Sequence, residues 1–75
     1  MQYAEVRGWN KGIKHERLAH GWSQSEAAKQ LGIDARTYRG WEKGQHFPGY
    51  PGRRALSKLY NKSIEELGLL SPVEI

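Results

Sequence analysis

The chain of 75 residues contains no cysteine, so neither a disulfide nor a thiolate-bound zinc ion can stabilise it. Its histidines, His15, His20 and His46, are too scattered to suggest a metal site, and no clustered carboxylates join them. We therefore expect no metal and no cofactor. A chain this short buries only roughly 60% of the surface that its unfolded form exposes. Its stability must come from packing, from helix caps or from a partner.

Long apolar runs are also missing, and none approaches the ~20 residues that a membrane-spanning helix needs. The first six residues lack the charged-then-apolar order of a signal peptide. The sequence offers no nucleophile–base spacing, no phosphate-binding loop and no convincing carboxylate pair. We therefore expect a soluble, cytoplasmic protein that is not an enzyme and has no membrane partner.

Charge is distributed unevenly along the chain. Twelve Lys and Arg residues stand against eight Asp and Glu residues, which gives a formal net charge of +4. Residues 36–54 carry four arginines and one lysine, with Glu42 as their single acidic residue. Among residues 63–75, every charged side chain is acidic. A protein with one basic edge and an acidic far end can orient itself on a phosphate backbone.

Apolar spacing and capping residues predict an all-α domain of five helices. The first helix has Asn10 as its N-cap and covers residues 11–20. The second begins at a capping box formed by Ser23 and Glu26. Residues suited to a left-handed C-cap follow four of the helices: Gly21, Gly32, Gly44 and Asn61.

The remaining three helices complete the predicted domain. The third covers residues 35–43 and has Asp34 as its N-cap, and the fourth covers about residues 52–60. A second capping box, Ser63 with Glu66, opens a short fifth helix. Around this domain of residues 10–70, we expect an N-terminal arm over residues 1–9. Residues 71–75 are a C-terminal tail or the start of a linker.

The second and third predicted helices form a helix-turn-helix over residues 24–44. Ala28 supplies the small side chain that two closely crossing helices require, and Gly32 starts the turn between them. Tyr38 and Trp41, three residues apart, anchor the second of these helices to the core. The opposite face of that helix is then free to enter a major groove.

A resemblance to a known family rests on four segments: Trp22-Ser23-Gln24, Glu26-Ala27-Ala28, Leu31-Gly32 and Trp41-Glu42-Lys43-Gly44. These segments resemble the XRE-type, lambda-repressor-like helix-turn-helix family, which includes phage Cro and repressor proteins. The resemblance extends over roughly residues 10–70. It implies a compact five-helix bundle that binds double-stranded DNA as a homodimer. It also implies that such a domain can be the N-terminal part of a longer protein.

The third helix carries the residues predicted to contact bases. Arg36 is the first choice, because an arginine can donate two hydrogen bonds to guanine O6 and N7. Ala35 can touch a thymine methyl group, and Arg39 is predicted to reach bases or backbone. Gly40 departs from the family, in which a long polar residue often contacts a base here. A glycine inside a helix costs roughly 1 kcal/mol relative to alanine, and it either permits close approach to DNA or weakens specificity.

Phosphate contacts are predicted around this helix. The residues concerned are Asn10, Lys11, Gln24, Thr37, Lys43, Gln45 and Arg53. Gln24 lies at a helix N-terminus, where backbone amides favour an anion, and Arg54 is a weaker candidate. The positions of Arg17 and Glu42 form a partly buried ion pair in phage repressors, so the resemblance implies a structural pair here.

Three hypotheses about function follow. The leading one is sequence-specific binding of double-stranded DNA by a bacterial or phage transcriptional regulator. The alternative is a protein-interaction module of the same fold, an antitoxin or adaptor, suggested by the apolar residues 69–75. A more distant one is binding of single-stranded nucleic acid, because three tryptophans could stack on bases. Trp22 and Trp41 stand beside helix caps at helical spacing, which favours a core position, whereas Trp9 is open.

Overall fold

The computed structural model describes residues 8–70. These form four α-helices: α1, Trp9–Ala19; α2, Gln24–Leu31; α3, Ala35–Glu42; and α4, Tyr50–Tyr60. No strand occurs within that range, so the predicted all-α class is confirmed there. No helix in the same range is long and apolar enough to cross a membrane. The predicted arm before Gly8 and the predicted tail over residues 71–75 lie outside the described residues.

Helix α1 begins two residues earlier than predicted, at Trp9. Its N-cap is Gly8, in the left-handed conformation with φ of 79°, and Asn10 is already inside the helix. The Asn10 side chain is used elsewhere, because its Nδ2 donates to the carbonyl oxygen of Glu42 at 2.8 Å. Trp9, predicted to belong to the arm, packs edge-on against Phe47 with 5.1 Å between ring centroids. Both differences come from contacts with distant residues.

Helix α2 forms as its capping residues predict. Glu26 N donates to the Ser23 side chain at 3.1 Å, and Ser23 N donates to the Glu26 carboxylate at 2.8 Å. Gly32 follows the helix in the left-handed conformation, with φ of 71°. The chain then enters α3 through Asp34, which is the N-cap by position but makes no capping hydrogen bond with its side chain.

Helix α4 also begins two residues earlier than predicted. Gly49 is its N-cap, and Pro51 lies in its first turn, where the missing N–H of proline costs nothing. Gly52 lets this helix approach α3 closely, because a Cβ on Gly52 would stand 2.9 Å from the ring of Trp41. The helix ends at Asn61, whose φ of 54° is left-handed as predicted.

The predicted fifth helix is wrong. Its capping box forms, with Glu66 N donating to Ser63 Oγ at 2.9 Å and Ser63 N donating to the Glu66 carboxylate at 2.7 Å. Residues 64–68 nevertheless make turns only. Gly68 adopts φ of 76°, which redirects the chain so that Leu67 and Leu69 are both buried. Two residues this close in sequence cannot share one face of a continuing helix.

The core is formed by one face of every described helix and by the turn after α4. Its buried hydrophobic residues are Ile13, Ala27, Ala28, Tyr38, Trp41, Leu56, Tyr60, Leu67 and Leu69. Helix α3 packs against both α1 and α2, and α2 packs against α4. One face of α3 is thereby fixed to the rest of the domain, which determines the direction that its other face points.

Candidate nucleic-acid interface

Helix α3 has one buried face and one exposed basic face. Tyr38 is fully buried and Trp41 is 6% exposed. Arg36 and Arg39 are exposed, as is Lys43 at the end of the helix. Because residues three and seven positions apart lie on one side of an α-helix, these three side chains form a continuous stripe. We call Arg36, Arg39 and Lys43 the basic face of α3.

Buried polar contacts hold α3 in place. The hydroxyl groups of Tyr38 and Tyr60 are hydrogen-bonded at 2.9 Å, which joins α3 to α4. Burial raises the pKa of Tyr38 and that of Tyr60 above the ordinary value, so both phenols remain neutral. The pattern of apolar residues in the sequence gives no sign of this pairing.

Glu42 joins the first three helices through its side chain. Arg17 donates to it twice, from Nε at 2.6 Å and from Nη2 at 3.0 Å, and Gln24 Nε2 donates to Oε1 at 3.0 Å. Burial by itself raises the pKa of Glu42, but hydrogen bonds from Arg17, Gln24 and Tyr38 outweigh it, so the pKa lies below its ordinary value. The carboxylate is therefore charged inside the domain. Arg17 binds it in the bidentate geometry that arginine favours.

Gln24 connects this buried carboxylate to the surface. Its Oε1 accepts a hydrogen bond from Arg39 Nε at 3.4 Å, while its Nε2 donates to Glu42. Gln24 is half-buried at the first position of α2. The residue predicted to contact a phosphate thus also positions one arginine of the basic face of α3.

The other predicted contact residues lie on α3, just after its end, or on α1. Thr37 is exposed and Ala35 half-buried at its beginning, and Gln45 is exposed beyond its end. Lys11 is exposed on α1, one residue after Asn10. Asn10 is half-buried, and its amide carbon lies 3.6 Å from where a Cβ on Gly44 would stand, so it borders the turn that ends α3.

Arg53, a predicted phosphate contact, is buried against the loop and the core. It is 6% exposed, its guanidinium lies 5.4 Å from the centre of the Phe47 ring, and its Nη1 donates to the Leu69 carbonyl at 3.4 Å. This burial disfavours a phosphate contact from Arg53, which stays a prediction. Arg54, the weaker candidate, is exposed. The sequence could not show this difference, because it depends on where the loop places Phe47.

His46, which sequence reasoning did not select, lies against α3. The loop after the helix folds back, so that Gln45 N and His46 N both donate to the carbonyl oxygen of Gly40, at 2.9 and 3.4 Å. A Cβ on Gly40 would stand 2.7 Å from Cδ2 of His46. Gly40 is buried and His46 is exposed. The glycine in the middle of α3 was the one sequence signal that something else occupies this space.

The structure describes part of the sequence cues for the two alternatives, and Leu70 in the first of them is exposed. Leu69, part of the segment that suggested a protein-interaction module, is fully buried in the core. Trp9 packs on Phe47, and the ring of Trp22 stacks on that of His20 with 4.7 Å between centroids, so neither resembles an open stacking platform. Among residues 8–70, no group of three His, Cys, Asp or Glu side chains could hold a metal ion.

Comparison with known proteins gives one match. A family model described as helix-turn-helix matches residues 13–67, which is more than half of the chain. The match begins at the buried Ile13 and ends at the buried Leu67, so it includes the Arg17–Glu42 pair and the basic face of α3. No curated protein and no solved structure matches the chain.

Proposed function

Because the chain belongs to the XRE-type, lambda-repressor-like helix-turn-helix family of DNA-binding domains, we propose that it binds double-stranded DNA sequence-specifically and regulates transcription in bacteria or phage. The basic face of α3 carries this proposal. Three cationic side chains are exposed there, on the side opposite the buried Tyr38 and Trp41. A helix held on one face and basic on the other suits insertion into a major groove.

Arg36 is the principal base-contacting residue in this proposal. It is exposed in the first turn of α3, where an arginine can make two hydrogen bonds to guanine. Ala35 and Arg39 contribute beside it. An arginine has five N–H donors, so the bond from Arg39 Nε to Gln24 leaves its two terminal amino groups for DNA.

Phosphate contacts fix the orientation of the domain on the duplex. We assign them to exposed residues around α3, namely Lys11, Thr37, Lys43, Gln45 and Arg54. Gln24 and Asn10 contribute the parts of their amides that are not used inside the domain. Arg53 is left out because its side chain is buried.

The operator should be palindromic. The domain binds as a homodimer, and its two copies contact half-sites about one helical turn, ~34 Å, apart. The chain acts in the cytoplasm and can be joined to further domains in a longer protein. Cross-linking on a duplex with one half-site and with two half-sites measures this stoichiometry directly.

Selection from a random pool of duplexes tests the proposal. The purified chain should enrich one sequence motif, and its affinity for that motif should fall steeply with salt, with a slope of about −0.9 per phosphate contacted. Single strands of the same sequence are the control and should compete weakly. Failure to enrich any motif, or equal affinity for random and selected duplexes, would contradict sequence-specific binding.

A further inference from the structure

Gly40 lies on the side of α3 that faces outward, yet it is buried. It stands four residues after Arg36 and three before Lys43, so it belongs to the same stripe of the helix surface. A glycine on an exposed stripe is covered only if another group lies over it. The imidazole of His46 does so, with Cδ2 at 2.7 Å from where the Cβ of residue 40 would be.

The backbone holds His46 in this position. Two successive amides, those of Gln45 and His46, donate to the Gly40 carbonyl oxygen. One edge of the imidazole lies on Gly40, and the His46 side chain is exposed to solvent. The ring therefore occupies the space that a side chain at position 40 would fill, between Arg36 and Lys43.

We infer that His46 supplies the base-contacting side chain that Gly40 lacks. With α3 in a major groove, the imidazole contacts the edge of a base pair next to the one that Arg36 contacts. An imidazole nitrogen can donate to guanine O6 or N7, or accept from the amino group of adenine or cytosine. Gly40 is then required by specificity, because it leaves room for a side chain that comes from the loop. This inference rests on the proposed function.

Base-preference profiles of variants test the assignment. Purified wild type, His46→Ala and Arg36→Ala are each bound to a set of duplexes that covers every single substitution of the selected motif. His46→Ala should bind the best duplex about 5- to 100-fold more weakly and lose discrimination at one position, adjacent to the position that Arg36→Ala affects. His15→Ala, which removes an exposed imidazole from α1, is the control and should keep every preference.

Gly40→Ala gives a second, independent variant. Its Cβ would displace the His46 ring, so it should lose the same discrimination as His46→Ala. Alanine is the better helix former, so this loss would not come from unfolding of α3. Circular dichroism and thermal unfolding check that each variant is folded. The double variant should be no weaker than His46→Ala, because the two substitutions remove one interaction.

The possible outcomes distinguish the proposed DNA binding from the proposed base contact of His46. A uniform loss over all duplexes in His46→Ala would indicate a phosphate contact and overturn the inference. An unchanged profile would also overturn it, since His46 would then only cover Gly40. A wild-type chain that enriches no motif contradicts the proposed function and this inference together. A wild-type motif whose preferences all survive in His46→Ala contradicts the inference alone.

Discussion

Glu42 of α3 holds a negative charge inside the domain, and its hydrogen-bond partners Arg17 and Gln24 come from α1 and α2. A buried ion pair is weak support for net stability, but removing one partner leaves an uncompensated charge and typically costs 3–5 kcal/mol. Here Arg17 and Gln24 satisfy the carboxylate, and Arg17 Nη1 also donates to the Trp22 carbonyl at 2.9 Å. The pair therefore fixes how α1, α2 and α3 meet.

Titration of Glu42 should make the stability of the domain depend on acid. Its pKa in the folded state is below the ordinary value of 4.5, because the hydrogen bonds from Arg17 and Gln24 outweigh burial. The unfolded state therefore binds the proton more tightly, so this contribution is complete above about pH 4.5 and is lost as pH falls through the folded pKa. Carbon NMR of the Glu42 carboxyl should give a midpoint below 4.5. A midpoint above it would contradict the geometry.

The Tyr38–Tyr60 pair is testable with single hydroxyl deletions. Tyr38→Phe leaves the Tyr60 hydroxyl buried without its partner and should cost about 1–3 kcal/mol of unfolding free energy. Tyr60→Phe should cost less, because the Tyr38 hydroxyl also lies beside Glu42. Urea unfolding measures both, and the double variant should lose less than the sum of the two. Additive losses would show that the hydroxyl groups do not interact.

At the level of helices, capping signals between neighbouring residues are readable from the sequence. Contacts between residues that are distant in sequence are not. The Ser23–Glu26 box correctly placed the start of α2, because all of its hydrogen bonds lie within four successive residues. The equally good box at Ser63 opened no helix, because Leu67 and Leu69 are both drawn into the core. The start of α1 was misplaced because Asn10 bonds to Glu42, far along the chain.

For the candidate site as well, the exposed face of one helix is predictable from the sequence, whereas positions set by loops and helix crossings are not. Periodicity alone indicates that Arg36 and Arg39 lie on the exposed side of α3. The burial of Arg53 and the position of His46 over Gly40 depend on the path of the loop before α4, which no periodic pattern encodes. The bond between Gln24 and Arg39 likewise requires the crossing of α2 and α3.

Close packing of α3 on α4 predicts a cost for a single methyl group. In Gly52→Ala, the new Cβ would stand 2.9 Å from Cη2 and Cζ2 of Trp41, and overpacking of this kind costs typically 1–3 kcal/mol. Thermal unfolding should show a lower midpoint, although alanine favours the helix.

The matched control uses a smaller ring. Phenylalanine lacks both contacted atoms, so Gly52→Ala should cost clearly less in a Trp41→Phe background than in the wild type. Equal costs in the two backgrounds would place the strain elsewhere.

At the scale of the whole domain, exposed basic and acidic side chains are concentrated in different segments of the described residues. The basic face of α3 lies on a helix anchored in the core by Tyr38 and Trp41, while Glu65 and Glu66 are exposed in the turn after α4. Gln24 connects the buried Glu42 to Arg39, so the internal ion pair and the exposed face are parts of one hydrogen-bonded network. DNA binding should consequently be sensitive to the loss of Glu42 as well as to the loss of surface arginines.

We expect the basic face of α3, and not net positive charge, to bind DNA. Two variants that each remove two positive charges test it: Arg36→Ala with Arg39→Ala, and Lys29→Ala with Lys58→Ala on the exposed surfaces of α2 and α4. On the selected duplex, the arginine variant should lose about 100-fold or more in affinity together with its sequence preference. The lysine variant should keep its preference and lose only a few-fold. Equal losses in the two variants would show that net positive charge, and not the basic face of α3, determines DNA binding.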